Sequence, residues 1–269
     1  MIDEIIVCLD GSPMAEKIAP IAQDIAAARA ASLTVFKVIR NSGDVAAEED
    51  YLRATARRFG AQIKLAVSDD PAQAIIEELA KNPRAMAALT THGRTALGEV
   101  ILGGVARRVL RGAKRPILLY CPLGGAGETH GKITTMAVAL DGSEFAESII
   151  PFAAEMAKSL KARLTLLQAL PSDSPAPPLP QSKKMDLLES SYVHRQADAI
   201  KRTFGLEVQW DVLHGEAARA ICSYLTTMPN SMLAMTTHGG SALHRAVLGS
   251  VAGECVRHAG RPLLLYWPH

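Results

Sequence analysis

Aromatic side chains are scarce in this chain, with Phe, Trp and Tyr together making up 4% of its 269 residues. Any core must therefore be packed mainly from Ala, Val, Ile, Leu and Met. Long apolar runs are missing too. None approaches the roughly 20 residues that a spanning helix needs, so no membrane partner is expected. The acidic start, Asp3-Glu4 before a strand-like run, does not resemble a signal peptide, and a cytoplasmic location is expected. Charge of one sign is lacking, and a net charge of +2 gives no electrostatic reason to expect nucleic acid. The four cysteines, Cys8, Cys121, Cys222 and Cys255, match neither zinc-ligand spacing nor a CxxC pair. They are expected as reduced thiols filling apolar space, where free Cys acts as a small hydrophobe. Two phosphate-binding signatures are also absent. There is no GxxxxGK[ST] loop and no GxGxxG after the first strand, which excludes P-loop NTPases and the dinucleotide-binding fingerprint.

What the chain does have is itself, twice. Val7-Cys8-Leu9-Asp10-Gly11-Ser12 recurs as Val138-Ala139-Leu140-Asp141-Gly142-Ser143, an offset of 131, and Ala15, Glu16, Pro20, Leu33 and Thr34 recur at the same offset. Thr90-Thr91-His92-Gly93 recurs as Thr236-Thr237-His238-Gly239 at an offset of 146, which also carries Leu118-Leu119-Tyr120 to Leu264-Leu265-Tyr266. The difference between the offsets makes the second copy 15 residues longer, mostly in the Pro-rich stretch 171–184. Gly124-Gly125-Ala126-Gly127 reads as a flexible linker. The expected organisation is a first domain over 1–123, a linker over 124–131 and a second domain over 132–269.

Within each copy the hydrophobic pattern alternates between strand and helix. In the first, Glu4 to Leu9 is a continuous apolar run, as in a strand buried on both faces. Ile18, Ile21, Ala22 and Ile25 then fall on one helical face, repeated as Ile149, Phe152, Ala153 and Met156. Strands are predicted over Leu33 to Ile39, Ala61 to Val67, Ala85 to Thr90 and Pro116 to Tyr120. Helices are predicted over 46–59, from Pro71, and over 97–112. This alternation predicts an α/β fold, two tandem five-stranded parallel sheets of the doubly wound, Rossmann-like type. Ligands in such sheets sit beyond the carboxyl ends of the strands, where the strand order reverses. Asp-Gly-Ser and Thr-Thr-His-Gly both follow strand ends, so both are expected at that edge. Asp-Gly-Ser has a plainer explanation, a turn in which Ser12 or Ser143 caps the following helix.

Gly239, nine further residues and then Gly249-Ser250 bridge the fourth strand and the next helix of the second copy. Glycines there allow close approach of backbone to ligand, and amides leading into a helix favour an anion. On these residues the chain resembles the universal stress protein family in its tandem two-domain form, over essentially its whole length. The family's nucleotide-binding members carry G-x2-G-x9-G-[ST] after the fourth strand and an Asp ending the first. The resemblance implies an adenine nucleotide alpha hydrolase-like fold. It also implies ATP or another adenine nucleotide as ligand, with Mg2+ as its companion ion, and domains paired through their last strands.

Carried over, the second-copy site is Ala139, Asp141, Ala169, Met235, Thr236, Gly239, Gly249, Ser250 and Val251. Asp141 would meet the adenine or ribose end, Ala169 and Met235 would wall the adenine, and Thr236 stands where the family has its first Gly. The first copy offers Asp10, Val38, Gly93, Gly103 and Gly104, lacks the hydroxyl after its last glycine, and has Asp69 where the second copy keeps Gly215. Asp69 and Asp70 also bring negative charge towards the ligand edge.

His92 and His238 have no companion ligands at metal spacing, so neither a metal site nor a catalytic role is expected of them. Arg107, Arg108, Arg111, Lys114 and Arg115 suit a helix C-terminus, and no aromatics interleave to stack bases; a solvated helix end is expected there. Three functions stay open: a regulatory adenine-nucleotide-binding protein, an interaction module without nucleotide, and a slow nucleotide hydrolase. No residue set is arranged for fast phosphoryl transfer. Intramolecular pairing of the last strands, Pro116 to Tyr120 and Pro262 to Tyr266, is expected, with a homodimer as a further option.

Overall fold

The computed structural model describes residues 2–40, 45–91, 102–113, 115–122, 131–171, 191–238 and 248–268. Two compact units emerge, one from Met1–Lys132 with Pro262–Trp267, the other from Ile133–Arg261.

In the first unit β1 (Glu4–Leu9) leads through a 3-10 turn (Ala15–Ile18) into α1 (Ala19–Arg29), followed by β2 (Ser32–Ile39), α2 (Val45–Phe59) and β3 (Gln62–Val67). Then come α3 (Pro71–Lys81), β4 (Ala85–Thr90), α4 (Gly104–Gly112) and β5 (Ile117–Tyr120). The second unit runs β6 (Thr135–Leu140), α5 (Glu144–Glu147), α6 (Ile150–Leu160), β7 (Arg163–Leu170), α7 (Ser191–Phe204), β8 (Val208–His214), α8 (Ala217–Thr226), β9 (Ser231–Thr236) and α9 (Ser250–His258). The chain's last strand, β10 (Leu263–Tyr266), groups with the first unit. It lies antiparallel to β5, with Leu264 opposite Leu118.

The first unit's strand order is β3-β2-β1-β4-β5-β10 and the second's is β8-β7-β6-β9. All neighbours except β5 and β10 are parallel within each unit. The order reverses between β1 and β4, registered Val7 to Ala88, and again between β6 and β9, registered Val138 to Ala234. These reversals open the crevices in which such sheets hold ligands. Central strands β4, β6 and β9 are buried along their whole length, which is why they read as uninterrupted apolar runs. Outer strands β3 and β8 are only half covered, leaving Val67 and Trp210 exposed.

The predicted helix face is the packed one. Ile18, Ile21, Ala22 and Ile25 are buried, as are Ile149, Ala153 and Met156, while Phe152 is half-buried. Each fully buried Ile contributes about 1.5–3 kcal/mol relative to exposure, enough to fix which side of the helix faces the sheet. No helix among the described residues is long and apolar enough to cross a membrane.

Two expectations need correction. The helix predicted from residue 97 begins at Gly104, and Leu102 and Gly103 are not helical. Gly103 takes φ −56°, ψ 153° as the residue before the helix, and a glycine costs most conformational entropy inside a helix, so the boundary falls at the Gly-Gly pair. The basic run is not simply a solvated helix end. Arg115 is half-buried and donates to the carbonyls of Asn82 (2.8 Å) and Ala85 (3.3 Å). Arg108 forms an ion pair with Asp70. The proposed linker glycines, and the segment 97–101, lie outside the described residues.

Candidate functional site

The second unit's site begins with Asp141-Gly142-Ser143. Asp141 Oδ1 accepts from Ser143 N (3.0 Å) and Ser143 Oγ (2.6 Å), and Ser143 Oγ accepts from Ala146 N (3.1 Å), capping α5. Gly142 has φ +88°, a conformation L side chains rarely adopt, which lets the chain reverse directly off the strand end. The turn and its cap are therefore real structural duties of this motif. They leave Asp141 exposed at the mouth of a cavity.

That cavity, about 330 Å³, is bounded by Ala139, Leu140, Asp141 and Ala146 from β6, its turn and α5, and by Ala169 of β7. Ala217 and Ile221 of α8 and Met235 to His238 at the end of β9 form further walls. Leu248, Gly249, Ser250, Val251 and Ala252 close it where α9 begins. Ala139, Asp141, Ala169, Met235, Thr236, Gly249, Ser250 and Val251 thus meet around one space, while Gly239 lies outside the described residues. Ala217, Ile221 and Ala252 join them without any motif to mark them. Their only signal in the sequence is the apolar face of each short helix, which core packing explains equally well.

Two helix N-termini face this space, and they differ. Glu216 caps α8 with its own carboxylate, accepting from Ala218 N (3.0 Å) and Arg219 N (2.8 Å). At α9 the N-cap is Gly249, with no side-chain cap. The first-turn amides of a helix have no partner within it, and the helix dipole adds positive potential there. Close packing also crowds Gly249. Its N–H donates to Thr237 O (2.7 Å), and a Cβ would stand 3.1 Å from that oxygen. Thr236 turns its hydroxyl to its own chain, donating to His238 O at 2.7 Å, so it lines the cavity without aiming a polar group into it. His238 Nδ1 lies 3.0 Å from Thr237 Oγ1.

The first unit repeats the plan with different fittings. Asp10 Oδ1 accepts from Ser12 N (2.8 Å), and Ser12 Oγ accepts from Ala15 N (3.1 Å). Its cavity is about 220 Å³, lined by Cys8, Leu9, Asp10, Ala15, Phe36, Val38, Pro71, Ile75, Leu89, Thr90, Val105 and Ala106. Asp10 and Val38 belong to it; Gly103 and Gly104 do not, and Gly93 lies outside the described residues. Burial against these apolar walls pushes the Cys8 thiol up to about 12. The expected negative charge at Asp70 does not face the cleft unopposed. Its carboxylate caps α3 through Gln73 N (3.1 Å) and receives both Arg108 NH groups at 2.7 Å. That guanidinium holds the Asp70 carboxyl below its ordinary range.

A paired feature of both units escapes comparison of the two copies by sequence. Tyr51 Oη donates to Glu16 Oε1 and Tyr192 Oη to Glu147 Oε1, both at 3.0 Å. Burial and the adjacent carboxylate push Tyr51 up to about 12 and also raise Tyr192. These tyrosines recur at an offset of 141, between the two offsets of the repeat, which is why neither alignment brings them together. Among the described residues, no cluster of three or more His, Cys, Asp or Glu could hold a metal ion.

Parallel sheets whose strand order reverses, with helices connecting the strands, define the doubly wound α/β fold class. Within that class, the chain belongs to the universal stress protein family, whose model matches residues 1–120 and again 132–266. In fold it is similar to a functionally unknown protein from Pseudomonas aeruginosa PAO1, with TM-score 0.70, 19% identity, and 99% of this chain and 93% of that one covered. It is also similar to a universal stress protein from Archaeoglobus fulgidus DSM 4304, with TM-score 0.64, 16% identity and 99% of both chains covered. A universal stress protein solved in complex with cAMP covers 52% of this chain with all of its own length, at 17% identity and TM-score 0.41. None of the curated proteins matches the chain.

Proposed function

We propose that this protein is a regulatory adenine-nucleotide-binding protein and that its second unit holds the nucleotide. The observation that carries the reading is the cavity closed by Gly249 and the first turn of α9, with no side chain capping that helix. Phosphate oxygens would take the amides of Ser250 and Val251 with the Ser250 hydroxyl, as anions do at helix N-termini. Adenine would lie against Ala139, Ala169 and Met235, with Asp141 accepting from the base or ribose, and Mg2+ would arrive bound to the phosphates. Small-molecule sites occupy roughly 300–1,000 Å³; the second cavity falls in that range and the first, at 220 Å³, falls short.

Cytoplasmic location, domain limits of 1–123 and 132–269 about a linker, and pairing of the copies through their last strands belong to the same proposal. The antiparallel register of Leu263–Tyr266 on Ile117–Tyr120 supports the last of these. A second reading, an interaction module without nucleotide, draws on Thr236, which replaces a family glycine and spends its hydroxyl on His238 O.

Calorimetric titration with ATP and AMP, after heat release of any retained small molecule, separates the two. Micromolar affinity or released adenine absorbance supports the nucleotide reading. No binding at millimolar nucleotide overturns it in favour of the interaction module, and steady multiple turnovers would instead indicate a hydrolase.

A further inference from the structure

None of the four cysteines is in a disulfide, but two of them are not apart. Cys222 lies on α8 and Cys255 on α9, helices that pack against each other. The two side chains are neighbours across this helix packing, with Cys222 half-buried and Cys255 fully buried. At the offset of 146 the first copy has Ile76 and Val109 in these places. The fold therefore packs this helix pair without sulfur, and the two thiols are particular to the unit with the larger cavity.

We propose that Cys222 and Cys255 are an oxidation site, a dithiol that closes into an intrachain disulfide joining α8 to α9 when a hydroperoxide reaches Cys222. Cys222 is the thiol with solvent access. The neighbouring Cys255 thiol favours its thiolate, while that same proximity and burial hold Cys255 protonated. The Cys222 thiolate attacks the peroxide O–O bond, giving sulfenic acid and releasing hydroxide or alkoxide, which takes up a proton. Cys255 Sγ then attacks the sulfenyl sulfur; the S–S bond forms and water leaves with the Cys255 proton. Two thiols are oxidised and one peroxide is reduced.

The disulfide bears on the cleft because Ile221 precedes Cys222, and Ala252 lies one helical turn before Cys255, and both line the cavity. A staple between the helices fixes the separation of those walls. This consequence rests on the nucleotide reading; the disulfide does not.

The test treats the reduced full-length protein with an equimolar amount of hydrogen peroxide, blocks free thiols by alkylation and maps peptides by mass spectrometry. The expected result is one Cys222–Cys255 linked peptide, lighter by two hydrogens and restored by dithiothreitol. Cys222→Ser should abolish peroxide consumption. Cys255→Val, the residue the first copy already carries, should leave Cys222 as a sulfenic acid that dimedone traps, without a link. Unreacted thiols, Cys222 oxidised alone in the unsubstituted protein, or linkage to Cys8 or Cys121 would each overturn the proposal. ATP affinity is then compared between the linked and reduced forms. A change of about fivefold or more, the low end for coupled sites, is expected, and equal affinities would refute the coupling while leaving the mapped disulfide standing.

Discussion

In the first cleft Asp70 and Arg108 join the start of α3 to α4 through two contacts of 2.7 Å. At the matching places in the second, Glu216 and Glu254 stand where like charges can form no such link. Glu216 folds back on its own helix, and Glu254 pairs along its own helix with Arg257 and His258. The same helix pair is thus tied across by charge in one copy and left untied in the other, beside cavities of 220 and 330 Å³. A second contrast lies at the strand end. Lys37 in the first copy is buried, forms an ion pair with Glu48 and sits 5.0 Å from the Tyr51 ring, whereas the second copy has the neutral Gln168. Duplication preserved the frame, and a few charged positions distinguish the surroundings of the two clefts.

Replacing Gly249 with Val attacks that difference most directly. The new side chain would start 3.1 Å from Thr237 O and displace the first turn of α9. Losing one hydrogen bond to a charged ligand costs about 1.5–3 kcal/mol, so ATP affinity should fall roughly tenfold to a hundredfold. The corresponding change at Gly103 should leave ATP affinity as it was. Calorimetry on both variants decides the matter: equal losses would show that the two copies share the nucleotide.

Lys37→Gln imports the second copy's residue into the first and strands Glu48. Removing one partner of a fully buried pair costs about 3–5 kcal/mol, but Glu48 keeps some contact with water. A loss of about 1–2 kcal/mol is expected, the lower figure reflecting solvent screening, and should be read from the urea unfolding midpoint. An unchanged midpoint would mean that the ion pair and the cation–π contact add nothing net.

The frame of this comparison was legible in the sequence because burial on both faces writes strands as unbroken apolar runs. Glu4–Leu9 and Ala85–Thr90 appear in the structure with the predicted bounds. The start of α4 was misplaced because Leu102 continues the apolar pattern while the Gly103-Gly104 pair breaks the backbone, and periodicity records only side chains. Among strand-end residues, Asp141 could be named through the repeat and Met235 through the family resemblance. The clasp between Asp70 and Arg108 could not, since it joins residues 38 apart on two helices and nothing in local pattern reports packing between helices. For the same reason Cys222 and Cys255 read as unrelated.

Removing the serine hydroxyl at each Asp-Gly-Ser turn sharpens the comparison at smaller scale, because Ser143 caps its helix and Ser12, contrary to expectation, does not. Ser143→Ala loses the N-cap acceptor of α5 and should lower stability by about 1 kcal/mol. Ser12, whose Oγ accepts from Ala15 N while Met14 holds the N-cap position, should cost less on replacement by Ala, both measured by urea unfolding. If Asp141 also serves the nucleotide, only Ser143→Ala should weaken ATP as well, because Ser143 Oγ donates to that carboxylate. Equal effects of both changes on ATP would place the first cleft in the binding function.

The smallest effect is expected from Asp70→Asn, and its signature is a pH dependence. The Arg108 hydrogen bonds, followed by the amide of Gln73, hold the folded-state carboxyl below its ordinary value of 3.8. A carboxyl depressed in the folded state stabilises fully above its unfolded value and loses that contribution as pH falls through the folded one. The parent protein should therefore melt slightly above the Asn variant at neutral pH. The two melting curves should converge only below pH 3.8, and salt should narrow the neutral-pH gap because the pair is exposed. A gap that persists unchanged into strong acid would show that Asp70 acts on α3 through shape alone. The charge clasp that separates the first cleft from the second would then have no energetic content.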